Sequence, residues 1–148
     1  MKILMHRKAR NFFSGIMMIT MMLFIASCSS TEPFLNSSVV PAATGKVKVK
    51  KDGNQNYVIK VQIEDLADVE RLQTSKDTYV LWMETDRGTN ENLGQLKSSS
   101  SFFSKQHVAS LETVSSYKPV RFFVTAENGS DVRYPDSVEI LKTKTFKN

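Results

Sequence analysis

The side chains that could do chemistry in this chain are few. Cys28 is the only cysteine. No internal disulfide can form, and one thiol, acting as its thiolate, is the single sulfur nucleophile on offer. His107 is the only histidine beyond His6, and a lone histidine in an alternating stretch reads as a surface or strand-end residue, not as a catalyst or ligand. Glu64, Asp65, Asp68 and Glu70 place four carboxylates within seven residues. A calcium loop of the EF-hand kind needs ligands at fixed spacing around a central glycine, and neither is present. We read the segment as a solvated connection with Leu66 and Leu72 plugging its underside. There is no Gly-x-Ser-x-Gly elbow, no Walker loop and no dinucleotide fingerprint. The expectation is a chain that is not an enzyme, with no cofactor and no metal site, in which Cys28 is the residue whose chemistry matters.

Cys28 closes a patterned leader. Lys2, Arg7, Lys8 and Arg10 come first, and Phe12 to Ala26 then runs without a charge through Phe13, Ile16, Met17, Ile19, Leu23 and Phe24. A basic head, an apolar middle and small residues at the exit make an export signal. The competing reading is a transmembrane helix. Phe12 to Ala26 gives only about 22 Å of helix at about 1.5 Å per residue, against a hydrocarbon core of about 30 Å. We therefore expect a signal peptide over 1–27, Cys28 and a flexible tether to residue 44, and one folded domain over 45–148.

Ile25-Ala26-Ser27-Cys28 resembles the lipobox of bacterial lipoproteins: an aliphatic residue, two small residues and an obligatory cysteine. The resemblance implies that the Cys28 thiol receives a diacylglyceryl group, that the bond before it is cut, and that the new amino group is acylated, commonly with palmitate. Two or more chains anchor stably, at about 0.8 kcal/mol per buried CH₂. Ser29 stands where aspartate is the retention signal in the best-known sorting rule, so the resemblance favours the outer membrane of a Gram-negative cell envelope, with the domain on its periplasmic or outer side. The expected partners are the membrane, through the anchor, and an envelope protein or glycan.

Removing the leader changes the charge. It takes four of the 20 Lys and Arg and none of the 15 Asp and Glu, leaving 16 basic against 15 acidic residues. No global field remains to steer nucleic acid to the protein, so no nucleic-acid partner is expected. The folded part, roughly 100 residues, is enough for one core and not two.

Alternation then lays out the strands. Lys46, Val47, Lys48, Val49 and Lys50 have period two, Asp52-Gly53-Asn54 signals a turn, and Tyr57, Ile59, Val61 and Ile63 share one parity, which predicts a hairpin. The three lysines either form a stripe for anionic lipid or glycan, or are a solvated face that protects a strand from aggregation. Ser29 to Thr44, with Pro33 and Pro41, reads as the tether. Tyr79-Val80-Leu81-Trp82-Met83 is apolar on both parities and so predicts a central strand covered on both faces. Tyr79, Leu81 and Met83 are assigned to the core and Trp82 to the outer face. Asp86 to Asn90 and Ser98 to Ser101 read as loops. His107 to Thr113 and Val120 to Glu127 alternate again. Val138 and Ile140 are assigned to the core, with Leu141 facing out. This predicts an all-β fold, an antiparallel β-sandwich of about seven short strands.

Tyr79-Val80-Leu81-Trp82-Met83, Leu93-Gly94 after a polar loop, and Phe123-Val124-Thr125-Ala126-Glu127 together resemble the extracytoplasmic domain of anti-sigma-K-type factors, in which a tyrosine-x-leucine-tryptophan strand, a leucine-glycine pair and a valine-threonine-x-glutamate strand recur in this order. The similarity covers about Tyr79 to Ile140 and implies an immunoglobulin-like sandwich. These are core and turn residues, so they bear on fold and not on activity. The residues ahead of Phe12 are too few to fold a sigma-binding region, so direct sequestration of a sigma factor is not expected.

Val80, Trp82, Phe123 and Leu141 all fall on the outward parity, and the doublets Phe102-Phe103 and Phe122-Phe123 send one ring to each face. If their strands are neighbours, the four make an exposed apolar patch that marks an interface. Alternatively, the 86–96 or 98–104 segment covers them as a minor core. Two functions follow: a lipid-anchored, non-catalytic binding module of the envelope, or an accessory sensor or regulatory component akin to the anti-sigma extracytoplasmic domains.

Overall fold

The computed structural model of the chain describes residues 29–72, 76–100, 107–136 and 138–146. The leader, Cys28 and the Phe102-Phe103 doublet lie outside the described residues. Nine strands are present among those described: β1 (Ser29–Pro33), β2 (Thr44–Lys51), β3 (Tyr57–Glu64), β4 (Thr78–Thr85), β5 (Asn90–Gln95), β6 (Lys97–Ser100), β7 (His107–Ser115), β8 (Pro119–Glu127) and β9 (Leu141–Lys142). A single 3₁₀ turn, Val69–Arg71, is the only helical element among them.

The strands form two antiparallel sheets, ordered β1-β2-β3-β7-β6 and β5-β4-β8-β9. The run β2-β3-β7-β6 facing β4-β8-β9 is the strand order of a constant-type immunoglobulin sandwich, with β5 added at one edge and β1 at the other. The fold is an immunoglobulin-like β-sandwich.

The β2–β3 hairpin pairs Val47 with Val61 and Val49 with Ile59. Because side chains alternate faces, these four bury into the core while Lys46, Lys48 and Lys50 stay in solvent. The turn is held by Asp52, whose Oδ1 accepts from the backbone N–H of Asn54 and of Asn56, each at 2.8 Å. The positive φ that closes it falls on Gln55, at 67°, and not on Gly53.

β4 is buried on both faces, as its two-sided apolarity predicts. Tyr79, Leu81 and Met83 join Ile59, Val61, Phe122 and Val124 in the inter-sheet core, and Val80 and Trp82 point the other way. The Leu93-Gly94 pair forms a β-bulge. Gly94 stands opposite Leu81 and Asn92 opposite Trp82, leaving Leu93 as the extra residue. The bulge needs φ of 117° at Gly94, a conformation that only glycine adopts cheaply.

Three expectations are corrected. First, the stretch after Cys28 is not a free tether. Ser29–Pro33 pairs along the edge of β2, Ser29 opposite Lys50 through Pro33 opposite Lys46. The chain then crosses to the other sheet, where Leu35 N–H donates to the Lys142 carbonyl at 2.8 Å and Phe34 bridges Thr143. Phe34, Val40 and Ala43 are buried in the core. Pro33 is tolerated because an edge strand leaves alternate N–H groups unpaired. Second, Lys97–Ser100 is a strand, not a loop, since the backbone of a polar edge strand still pairs with β7. Third, Leu141 is 2% exposed and lies in the main core with Ile140, while Val138 is 76% exposed. Leu141 stands opposite the core residue Val124, and facing residues of an antiparallel pair share a face. Ile140 precedes the strand, so the alternation does not bind it.

Candidate functional site

The patch expected from Val80, Trp82, Phe123 and Leu141 is not a surface. Leu141 belongs to the inter-sheet core. The other three are at most 2% exposed and form a second, smaller core on the outer face of the second sheet, with Val132 packed against it. Trp82 and Phe123 face each other in register and stack, with centroids 6.2 Å apart and planes 10° from parallel. Among the described residues the cover is the β8–β9 loop, and most of the 98–104 segment lies outside them. Asn92 Nδ2 fastens it by donating to the carbonyls of Ser130 and Val132, at 3.0 and 2.8 Å. Asp136 N–H donates to Glu127 Oε1 at 3.2 Å, and Lys76 Nζ lies 3.1 Å from the Asp136 carboxylate.

Under this cover runs a polar relay. Trp82 Nε1 donates to Thr125 Oγ1 at 2.8 Å, and Thr125 Oγ1 donates to Glu127 Oε1. Glu127 is fully buried, and its Oε2 has no hydrogen-bond partner among the described residues. At the rim, Arg121 lies over the Phe123 ring at 5.0 Å and bridges Glu84 and Glu139. The hydrogen bond from Arg121 holds the Glu139 carboxyl below its ordinary value of 4.5, against an opposing contribution from burial. The same pairing raises the Arg121 guanidinium, with Glu139 as the larger contributor. Neither Glu127 nor this network was legible as a site. Glu127, Arg121 and Glu84 fall on the outward parity of their strands, and Glu139 comes from a loop without periodicity.

The two ends of the sandwich differ in chemistry. One end carries the 64–77 connection, with a cleft of about 220 Å³ between the sheets. Leu66, Val69 and Leu96 line it, and Asp68, Glu70 and Asp77 stand at its mouth. Leu66 plugs the underside of the connection as expected, with Leu72 packed against the core. The Tyr79 hydroxyl in this cleft donates to the Ala67 carbonyl at 2.9 Å. Burial first, then the charges of Asp68 and Glu70, push it up to about 12, so it is a fixed donor near neutrality and no proton shuttle. Among the described residues no group of three or more His, Cys, Asp or Glu is placed to hold a metal.

At the other end lie the β2–β3, β4–β5 and β7–β8 turns and the start of β1. Ser29 pairs with Lys50, Lys51 with Tyr57, and Tyr57 with Ser115. Asp86 N–H donates to the Lys118 carbonyl at 3.1 Å. Gln55, Tyr57, Arg87, Tyr117 and Lys118 line one shallow depression of about 170 Å³. Lys51 Nζ stands 5.5 Å from the Tyr57 ring centre, and Arg87 Cζ 5.0 Å from that of Tyr117. The sequence hid this cluster because its members come from three turns far apart in the chain.

No family model, no curated protein and no solved structure matches this chain.

Proposed function

We propose that the protein is a lipid-anchored component of a bacterial cell envelope, acylated at Cys28, whose non-catalytic immunoglobulin-like sandwich serves as a binding module for another envelope protein or a glycan. The observation that carries this reading is the Ile25-Ala26-Ser27-Cys28 motif behind a basic head and an uncharged apolar run, which would place the new terminus at Cys28. An export signal is dispensable to the fold it delivers, and a cut before Cys28 would leave every described strand intact. Ser29 in place of aspartate supports the outer membrane as destination.

A second reading, an accessory sensor or regulator akin to the anti-sigma extracytoplasmic domains, draws support from the immunoglobulin-like strand order that the resemblance implies.

Feeding cells labelled palmitate tests the anchor. Label should enter the wild-type protein and not Cys28→Ser, which should leave the membrane fraction. An unlabelled wild type, held as firmly as the variant, would sink the reading. Cross-linking in native membranes followed by mass spectrometry separates the two roles. An envelope-spanning regulator as neighbour favours the sensor, and a transport or polysaccharide complex favours the binding module.

A further inference from the structure

We propose that the end of the sandwich formed by the β2–β3, β4–β5 and β7–β8 turns is a membrane-docking face, which seats the domain against the anionic phospholipid headgroups of the leaflet that holds the Cys28 acyl chains. The proposal rests on the anchor reading given above, and it adds an orientation that the anchor alone does not supply.

The first argument is the lack of slack. An unfolded run from Cys28 to Thr44 would let the domain drift tens of ångströms from the lipid. Instead Ser29 is already paired with Lys50. Cys28 immediately precedes Ser29 in the chain. The acylated residue is thus joined to a fixed point on this end of the sandwich.

The second argument is charge. This end carries Lys50, Lys51, Arg87 and Lys118, all exposed, and among the described residues none of the four has a salt bridge. Against them stand Asp86 and Asp52, and the latter is engaged by two N–H groups of its own turn. The 64–77 connection at the opposite end has the reverse balance, with five carboxylates (Glu64, Asp65, Asp68, Glu70 and Asp77) and two cations, Arg71 and Lys76. The domain is therefore polarised along its length, with its positive pole beside the anchor. An anionic leaflet attracts a juxtamembrane cation and repels a carboxylate over roughly a Debye length, about 10 Å at ordinary salt.

The third argument is the aromatic pair. Tyr57 and Tyr117, half-buried and each beside a cation, suit the headgroup layer, where an amphipathic ring meets both water and lipid. Docked this way, the acidic cleft at the far end points away from the membrane and is open to whatever the module binds.

The test uses the full-length acylated protein reconstituted into vesicles of phosphatidylcholine alone, or of phosphatidylcholine mixed with phosphatidylglycerol. Amide hydrogen exchange is read across 50–57, 86–89 and 115–118. Exchange at these three turns should slow several-fold in the mixed vesicles relative to phosphatidylcholine, remain unchanged at 64–72, and recover as salt is raised. Replacing Lys50, Lys51, Arg87 and Lys118 by glutamine should abolish the slowing, each cation contributing roughly five-fold to the docked population. Should that variant fold poorly, the salt series on the wild type measures the same electrostatic dependence. Vesicle flotation separates the two possible failures. Protein that does not float and carries no acyl mass on Cys28 removes the anchor. Protein that floats but exchanges equally in both vesicles, or is protected at 64–72 instead, overturns the docking face and leaves the anchor standing. Protection of the three turns by added glycan fragments, with none from anionic vesicles, also overturns it.

Discussion

Trp82 Nε1 and Thr125 Oγ1 lie 2.8 Å apart on the outer face of the second sheet, fully buried beneath the β8–β9 loop. The two are diagonal neighbours across the β4–β8 pairing, since Trp82 faces Phe123 and Val80 faces Thr125. Thr125 accepts from the indole and donates onward to Glu127. One hydroxyl thus satisfies two buried polar groups at once.

That relay makes Thr125→Val a sharp test. The isosteric change leaves the Trp82 N–H without an acceptor and Glu127 Oε1 with only the Asp136 N–H. Stability should fall by about 1–3 kcal/mol, the cost of stranding a buried polar group. Urea unfolding curves would measure it. Trp82→Ala should cost about 3–5 kcal/mol through the cavity with the association state unchanged. New or lost self-association without a loss of stability would mean that the Trp82 face is an interface after all.

Phe34 distinguishes a folded segment from a tether. Its ring is 8% exposed, and the backbone around it joins β2 to β9. Phe34→Ala should cost roughly 3 kcal/mol or more in equilibrium unfolding. A residue on a solvated linker would change stability by no more than about 0.5 kcal/mol.

Two groups should make stability depend on pH. Glu139 is depressed in the folded state by its hydrogen bond to Arg121, so its contribution is present above the unfolded value of 4.5 and is lost as pH falls through the lower folded value. Glu139→Gln should lose stability at neutral pH and show a flatter decline below pH 4.5 than the wild type. Tyr79 works at the other limit. Raised from 10.0 to about 12, it contributes fully below pH 10 and loses that contribution as pH rises towards 12. Tyr79→Phe should flatten the alkaline limb over that window. Denaturation midpoints across pH would read both.

Two glycines should fail for different reasons. A Cβ at Gly94 would meet nothing closer than 3.9 Å, so Gly94→Ala carries only the strain of a φ of 117°, about 1–3 kcal/mol. A Cβ at Gly45 would lie 2.5 Å from the Gln62 carbonyl oxygen. Gly45→Ala must therefore push β2 off β3, and it should both destabilise the protein and speed amide exchange along the hairpin.

The sequence alone determined the strands whose burial repeats with period two or covers both faces. Val47, Val49, Ile59, Val61 and Ile63 announce their hairpin, and Tyr79 to Met83 announces a central strand, because a pleated backbone turns residue order directly into facing. It also sets Cys28, the sole cysteine, at the end of an uncharged apolar run behind basic residues, the local pattern on which the proposed export and acylation rest. Tertiary structure decided what no local period encodes. Trp82 and Phe123 face outward as their parity requires, yet they are buried, because a loop of Asn, Gly, Ser and Asp residues is tied across them by Asn92 and Glu127. Ser29–Pro33 carries no apolar stripe, and its pairing is made by backbone groups that every residue possesses. The cluster of Lys51, Arg87 and Lys118 exists only because three turns, distant along the chain, are brought to one end of the sandwich.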